Sequence, residues 1–142
     1  MDTSTPPAIE TITRLADYQP PAWRVTEVQL RFELGVDETR VRSRLVLARD
    51  RDEPLRLDGE DVELVSAWLD GRVLATADYT LEAAGLTVAG AQDGSVLELD
   101  VRIDPTRNTQ LCGLYLSGSR EHGFLLTQCE AQGFRRITFS PD

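Results

Sequence analysis

The residue types best suited to chemistry in this chain stand together near its end. The apolar run 124–126 leads through Thr127 into Gln128, Cys129 and Glu130, so an amide, a thiol and a carboxylate follow one another. From the residues alone, Glu130 has two interpretations. It is either a carboxylate that faces a ligand or a surface charge that pairs with Arg135 or Arg136.

A thiol enzyme is another interpretation of the same segment. It would use Cys129 as the nucleophile and His122 as the base. The two residues are seven positions apart, and no third group that could orient the imidazole is identifiable. The pattern therefore favours small core residues at Cys112 and Cys129.

Two clusters contain potential metal ligands. The first consists of Cys112, His122, Cys129 and Glu130. The second consists of Asp58, Glu60, Asp61 and Glu63. The first lacks a recognisable zinc-ligand spacing. The second lacks the ordered oxygens and turn glycine of a calcium loop, so a solvated turn is the favoured interpretation.

The tryptophans offer a carbohydrate platform as a further candidate site. Trp23 and Trp68 each lie in or beside an alternating strand. Core packing is the commoner role of a large aromatic side chain in that position, and it is what we expect here.

Composition limits the class of protein. The chain has 142 residues and suits a single domain with a real core. Its 15 basic and 24 acidic residues give a net charge of -9, which repels phosphate backbones and anionic lipid, so we expect neither a nucleic-acid nor a membrane partner. All 15 basic residues are arginine, which excludes a lysine Schiff base and a Walker-type phosphate loop.

Cysteine usage and the start of the chain indicate the compartment. Two cysteines are too few for a disulfide framework. The first residues have neither the basic start nor the apolar run of a signal peptide, and no stretch approaches the ~18 apolar residues of a membrane helix. We therefore expect a cytoplasmic protein in which Cys112 and Cys129 are unpaired.

The apolar pattern predicts an all-β fold, in the form of a sandwich or a curved open sheet. Alternating apolar residues predict a half-buried strand over 28–34 and a returning strand over 41–47. Further strands are predicted at 55–57, 62–69, 72–74, 79–81, 86–88 and 97–103. Asp70-Gly71 is the strongest two-residue hairpin signal. No apolar period of 3.6 residues persists long enough to predict a helix.

Two parts of the chain differ in composition. Residues 1–20 are polar and contain three prolines, and we interpret them as an irregular N-terminal arm that reaches onto the domain. Residues 21–142 are predicted to form the β-domain.

The segment 127–139, TQCEAQGFRRITF, closely resembles a signature of bacterial aminopeptidase N, in the gluzincin family of zinc aminopeptidases. There the stretch reads TQCEAEGFRRIT. Three further segments match in the same order: 17–34, 54–61 (PLRLDGED) and 105–118. Gln132, where an acid is common, and Ser140, where a bulky residue is usual, depart from the family pattern.

The resemblance implies a fold and a place in a longer enzyme. Family members open with a saddle-like, mainly antiparallel β-domain and continue into a thermolysin-like catalytic domain that carries the zinc ligands. Residues 21–142 would then be that β-domain, truncated at its C-terminal end, with the catalytic domain of the same polypeptide as its partner. The chain alone is predicted to be inactive, and Zn²⁺ would belong to the full-length enzyme.

The resemblance also assigns two substrate-binding residues. Glu130 corresponds to the glutamate that holds the free α-amino group of the peptide, and Gln128 to the glutamine that lines the first side-chain pocket. We expect a strand to fix the Glu130 carboxylate. The alternative to a substrate-recognition domain is a stand-alone β-sandwich binding module without catalysis.

Overall fold

The computed structural model describes residues 14–141, and this stretch is built from ten strands and two 3₁₀ turns. The strands are β1 (Trp23–Glu33), β2 (Thr39–Arg49), β3 (Leu55–Asp58), β4 (Glu63–Leu69), β5 (Arg72–Val73), β6 (Tyr79–Glu82), β7 (Gly85–Val88), β8 (Val96–Ile103), β9 (Gly113–Ser117) and β10 (Phe124–Gln128). The 3₁₀ turns are Leu15–Asp17 and Gly133–Arg136. The prediction of an all-β fold is confirmed. Over these residues no helix has the length and apolar character needed to cross a membrane.

The strands form two sheets and a separate hairpin. The larger sheet has the order β1-β2-β8-β4-β5, the smaller has the order β3-β7-β6, and β9 pairs with β10. All these pairs are antiparallel. Since β8 lies between β2 and β4, the centre of the larger sheet comes from late in the chain.

One hydrophobic core takes side chains from both sheets. The larger sheet contributes the inward residues of β2, β8 and β4. The smaller sheet contributes Leu55, Leu57, Leu86 and Val88, and each of these four is at most 2% exposed. The alternation read from 97–103 is confirmed, since its four apolar residues are buried. Phe139 reaches the same core from beyond β10 and is 2% exposed.

The tight turns form where the sequence predicts them. Asp70 and Gly71 have φ angles of 50° and 80°, and Leu69 pairs with Arg72 across them. Positive φ at both central residues is what a type I′ hairpin turn requires. The β6–β7 hairpin closes through Ala83 and Ala84, because Glu82 pairs with Gly85.

The apolar face of β1 is the main departure from expectation. Val28, Leu30 and Phe32 are 50%, 37% and 37% exposed, so the prediction of a half-buried strand is wrong for this face. The register pairs Val28 with Leu45 and Phe32 with Val41, which puts their side chains on the core side of the sheet. Since β1 is the edge strand, its neighbour shields only one flank, and within residues 14–141 the core does not extend beneath it.

The described part of the N-terminal arm begins at Arg14. Ile9 and Ile12, two of the arm's apolar residues, lie outside the described residues, and Leu15 is exposed. The chain joins the core at Ala22 and Trp23. The boundary between residues 20 and 21 stays a prediction.

Candidate functional site

Gln128 and Glu130 lie where the β9–β10 hairpin ends. The hairpin runs from Phe124 opposite Ser117 to Gln128 opposite Gly113. Gln128 is the last residue of β10, whereas Glu130 lies in the turn that leads to the 3₁₀ turn Gly133–Arg136. The expectation that a strand holds the Glu130 carboxylate is therefore wrong, because β10 ends two residues before it.

The backbone of this turn is nevertheless held by several contacts. The Glu130 N–H donates to Gln128 Oε1 at 3.0 Å, and the Gly133 N–H donates to the Cys129 carbonyl oxygen at 2.9 Å. The Cys112 thiol lies 3.8 Å from the Glu130 carbonyl oxygen. The Glu130–Ala131 peptide bond is cis. The side chains of Gln128 and Glu130 both belong to exposed residues, so the fixed backbone presents them at the surface.

Gly133 is required by the close packing behind this turn. A Cβ atom there would lie 2.5 Å from the Gln128 carbonyl oxygen and 2.6 Å from Cys112 Sγ. Both distances are far below van der Waals contact. Any larger residue would therefore push the 3₁₀ turn away from the end of β10.

Arg135 and Arg136 have their counter-charges on another loop. Arg136 donates to Asp61 Oδ2 at 2.7 Å and to Glu60 Oε2 at 2.6 Å. An Arg135 nitrogen lies 3.7 Å from Asp58 Oδ2, and the Arg135 carbonyl oxygen accepts the Glu60 N–H at 3.0 Å. Within residues 14–141, neither arginine forms an ion pair with Glu130. The interpretation of Glu130 as a surface charge paired with Arg135 or Arg136 is therefore not supported.

The acidic cluster at 58–63 lies on a solvent-exposed turn, as expected, and its acids also form ion pairs. Three of its acids face Arg135 and Arg136, and the fourth, Glu63, accepts from Arg102 at 2.5 Å. The sequence does contain two adjacent arginines and a run of acids. Because about 75 residues separate them, the sequence alone did not predict that they would pair. In the part of the chain that the structure describes, no three His, Cys, Asp or Glu side chains form a metal-binding group.

The two cysteines are free thiols, as predicted, but they are not core residues. Cys129 is exposed and Cys112 is half-buried, because both lie just outside the hairpin. Partial burial, and secondarily the neighbouring Cys112, raise the pKa of the Cys129 thiol. His122 and Cys129 flank the five residues of β10, a length of about 17 Å at the usual rise, so the structure does not bring them together as a dyad.

The two tryptophans are the remaining candidates, proposed from the sequence as a carbohydrate platform. Trp23 is buried and its Nε1–H donates to the Glu53 carbonyl oxygen at 2.8 Å, which confirms its predicted core role. Trp68 is half-buried on β4 and is not part of the core, so the core-packing prediction is wrong for it. An open cleft of about 910 Å³ lies elsewhere, and Gln128 and Glu130 do not line it.

Comparisons with known proteins bear on this chain as a whole. No family model matches it. It is 45% identical over 144 residues to aminopeptidase N of Caulobacter vibrioides, a match that covers all of this chain and 16% of the relative. It is 37% identical over 128 residues to aminopeptidase N of Escherichia coli, covering 89% of this chain and 14% of the relative. The chain thus spans about a sixth of the curated relatives it matches.

Solved structures share the fold. A Legionella pneumophila aminopeptidase A structure superposes with a TM-score of 0.78 and 26% identity, over 92% of this chain and 15% of that one. A yeast leukotriene A4 hydrolase structure superposes with a TM-score of 0.68 at 16% identity, over 84% of this chain and 20% of that one, a likeness of fold alone. The relatives of this chain are therefore bacterial aminopeptidase N proteins, of which it matches one all-β part, consistent with their N-terminal domain.

Proposed function

We propose that this chain is the substrate-recognition β-domain of a zinc aminopeptidase that releases N-terminal residues from peptides. The 45% identity to an aminopeptidase N supports the class of enzyme, and the small share of the relative that is covered supports a catalytic domain elsewhere in the same polypeptide. A Deinococcus radiodurans protein with the same fold is described as an M1 zinc metallopeptidase. Since the described residues offer no metal-binding group, the Zn²⁺ ligands belong in this proposal to the other domain.

The observation that carries the proposal is the state of Glu130. Its backbone is held by Gln128 and Cys112, its side chain is exposed, and the two arginines that would neutralise it are occupied by Asp58, Glu60 and Asp61. A carboxylate on a held backbone, with no cation paired to it among residues 14–141, is suited to a charged α-ammonium group, which distinguishes a chain end from an internal amide. We assign this contact to Glu130.

Gln128 has a smaller, supporting role in the same proposal. Its Oε1 accepts the Glu130 N–H, so the amide group is oriented by the turn and its NH₂ side is directed away from that bond. We assign it to the wall of the pocket for the first side chain of the peptide. The amide would thus fix the turn and contact substrate at once.

The exposed face of β1 supports further polypeptide as the partner of this domain. Val28, Leu30 and Phe32 form a continuous apolar strip on an edge strand, which natural sheets usually cover or blunt. We propose that 21–142 is a truncated β-domain whose remaining strands cover this strip. The free thiols fit a cytoplasmic enzyme, and the net charge of -9 argues against nucleic-acid and membrane partners.

The test is kinetic and uses the complete polypeptide that contains this domain, at wild-type zinc content. Glu130→Ala is expected to lower kcat/KM about 10- to 1,000-fold, because a charge pair with the substrate ammonium is lost. Glu130→Gln keeps the shape without the charge and should recover only part of that loss. Glu121→Ala, at an exposed glutamate ahead of β10, is the matched control and should leave kcat/KM unchanged.

An unchanged kcat/KM for Glu130→Ala would overturn the assignment of the ammonium contact. The reading frame downstream of codon 142 distinguishes a domain of a longer enzyme from a stand-alone binding module. A continuing frame with an HExxH sequence is expected, and an immediate stop codon would contradict the proposal.

A further inference from the structure

The register of the β9–β10 hairpin places the two cysteines opposite each other. Successive pairs run from Phe124 with Ser117 to Gln128 with Gly113. The next pair in the same register is Cys129 with Cys112. These are the only cysteines in the chain.

The distances expected for such a pair suit a disulfide. Facing residues on antiparallel strands have Cα atoms about 4.5–5.5 Å apart. Disulfides accept Cα separations of about 4.4–6.8 Å. Two residues at the frayed end of a hairpin can therefore be bridged with small backbone adjustments.

Side-chain contacts support the proximity independently of the register. Cys112 Sγ lies 3.8 Å from the carbonyl oxygen of Glu130, the residue that follows Cys129. The absence of a side chain at Gly133 gives this sulfur its space, since a Cβ atom there would lie 2.6 Å away. Cys112 thus points at the turn that Cys129 begins.

Both thiols are free and one is exposed, so a small oxidant can reach them. We propose that Cys112 and Cys129 form a reversible modification site, which closes as an intramolecular disulfide by exchange with a low-molecular-weight disulfide such as oxidised glutathione. The exposed Cys129 thiolate attacks one sulfur of the glutathione disulfide and releases one glutathione thiolate. The Cys112 thiolate then attacks the Cys129 sulfur of the mixed disulfide and releases the second glutathione.

The exchange balances without any other reagent. The two protein thiols are oxidised to one disulfide, and one glutathione disulfide is reduced to two thiols that take up the two protons. Burial and the neighbouring cysteine raise the pKa of the Cys129 thiol, so less of it is thiolate at neutral pH. The reaction should therefore accelerate as the pH rises.

The new bond would join the two segments that hold the Glu130 turn. The Cys112 thiol contacts the Glu130 carbonyl oxygen, and the Cys129 carbonyl oxygen accepts the Gly133 N–H. Oxidation would thus change how the Glu130 carboxylate is presented. This consequence rests on the proposed function, whereas the disulfide itself does not.

The test uses the 142-residue chain equilibrated with mixtures of oxidised and reduced glutathione, and then quenched with acid. We expect a monomer whose two thiols have disappeared, whose mass has fallen by that of two hydrogen atoms, and whose thiols return with dithiothreitol. Peptide mapping without reductant should recover 112 and 129 in one linked fragment.

Two variants provide matched controls. Cys112→Ser and Cys129→Ser each keep one thiol and should stop at a mixed disulfide that carries one glutathione. Wild-type chain that also stops with glutathione on either cysteine, or that forms only disulfide-linked dimers, would overturn the proposal.

The link to Glu130 is tested separately in the complete enzyme. Oxidation should lower kcat/KM in the wild type, whereas the same glutathione mixture should leave kcat/KM of the double variant Cys112→Ser/Cys129→Ser at its value without glutathione. If the disulfide forms and kcat/KM does not change, the modification site stands and its coupling to the Glu130 contact is overturned.

Discussion

β1 and β2 are the two strands of one hairpin and have the same length and the same alternating pattern, yet their apolar faces are buried to very different extents. Val41, Leu45 and Leu47 of β2 are at most 1% exposed, whereas Val28, Leu30 and Phe32 of β1 are 37–50% exposed. The difference lies in the neighbours, since β2 is flanked by β1 and β8 and β1 is the edge. Alternation determines which way a side chain points, and the next layer of structure determines whether it is buried.

The opposite face of the sheet shows the same contrast for charges. On the β8 side, Arg40 binds both oxygens of Asp100, at 3.1 and 2.7 Å, and Asp100 is only 6% exposed. On the β1 side, Arg44 lies 3.4 Å from Glu27 and both side chains are open to solvent. The comparison between the inner and edge strands therefore extends to ion pairs, and each half of it can be tested.

The largest expected effect compares two leucines in the hairpin. Leu45→Ala should lower the free energy of unfolding by about 2–5 kcal/mol, because it leaves a cavity in a closed core. Leu30→Ala should lower it by less than about 1 kcal/mol, because Leu30 is already in contact with water. Urea denaturation of both variants measures the difference. Equal losses would break the comparison, since they would mean that β1 is covered in solution.

An intermediate effect is expected from the two ion pairs. Asp100→Asn should cost about 1–2 kcal/mol at neutral pH, since it weakens two hydrogen bonds from Arg40 and one from Arg42 at a buried carboxylate. The loss stays moderate because Arg42 is half exposed to solvent. The matched Glu27→Gln change should stay within ~0.5 kcal/mol. Chemical denaturation at fixed ionic strength checks both values.

The Asp100 effect should also depend on pH. Burial alone would raise the pKa of Asp100, but hydrogen bonds and charges from Arg40 and Arg42 outweigh it and hold the pKa below the usual range. Such a group stabilises the fold above its unfolded pKa, and the stabilisation is lost as the pH falls through the lowered folded value. The gap between wild type and Asp100→Asn should therefore close in acid. A gap that persists at low pH would contradict the charge-pair explanation.

The smallest effect on stability is expected from Phe32→Thr. Threonine keeps the strand propensity and removes part of an exposed apolar strip, so the free energy of unfolding should change by no more than ~0.5 kcal/mol. Binding of a hydrophobic dye to the folded chain should fall, because the strip is smaller. Unchanged dye binding would show that the strip is not open in solution.

The same contrast explains how far the sequence alone predicts this molecule. Alternation and turn chemistry located β1 to β8 and the Asp70-Gly71 turn because both depend on local residues, whereas β9 and β10 lack clean alternation and were not predicted. The exposure of β1 was not predictable, since it depends on what lies beneath an edge strand. At the candidate site, the residue types drew attention to the segment with Gln128 and Glu130, but their substrate-binding roles come from the family resemblance and stay a prediction.

A local sequence pattern could not predict which acids pair with Arg135 and Arg136. In the sequence Glu130 is close to both arginines, whereas the acids at 58–61 are far from them. The fold selects the distant acids because the 3₁₀ turn lies over that loop, where the Glu60 N–H binds the Arg135 carbonyl oxygen. The position of Glu130 beyond β10 was likewise hidden, since nothing local marked the end of that strand.

The order of the larger sheet has a consequence for synthesis on the ribosome. β2 leaves the exit tunnel early, but its inner neighbour is β8, and Thr39 pairs with Ile103. At a synthesis rate of about 5–20 residues per second, β8 emerges several seconds after the β1–β2 hairpin. During that time the apolar faces of β1 and β2 are both exposed. The nascent hairpin therefore exposes apolar surface after its own synthesis is complete; β8 covers the flank of β2 when it emerges, whereas no strand within residues 14–141 covers the apolar face of β1.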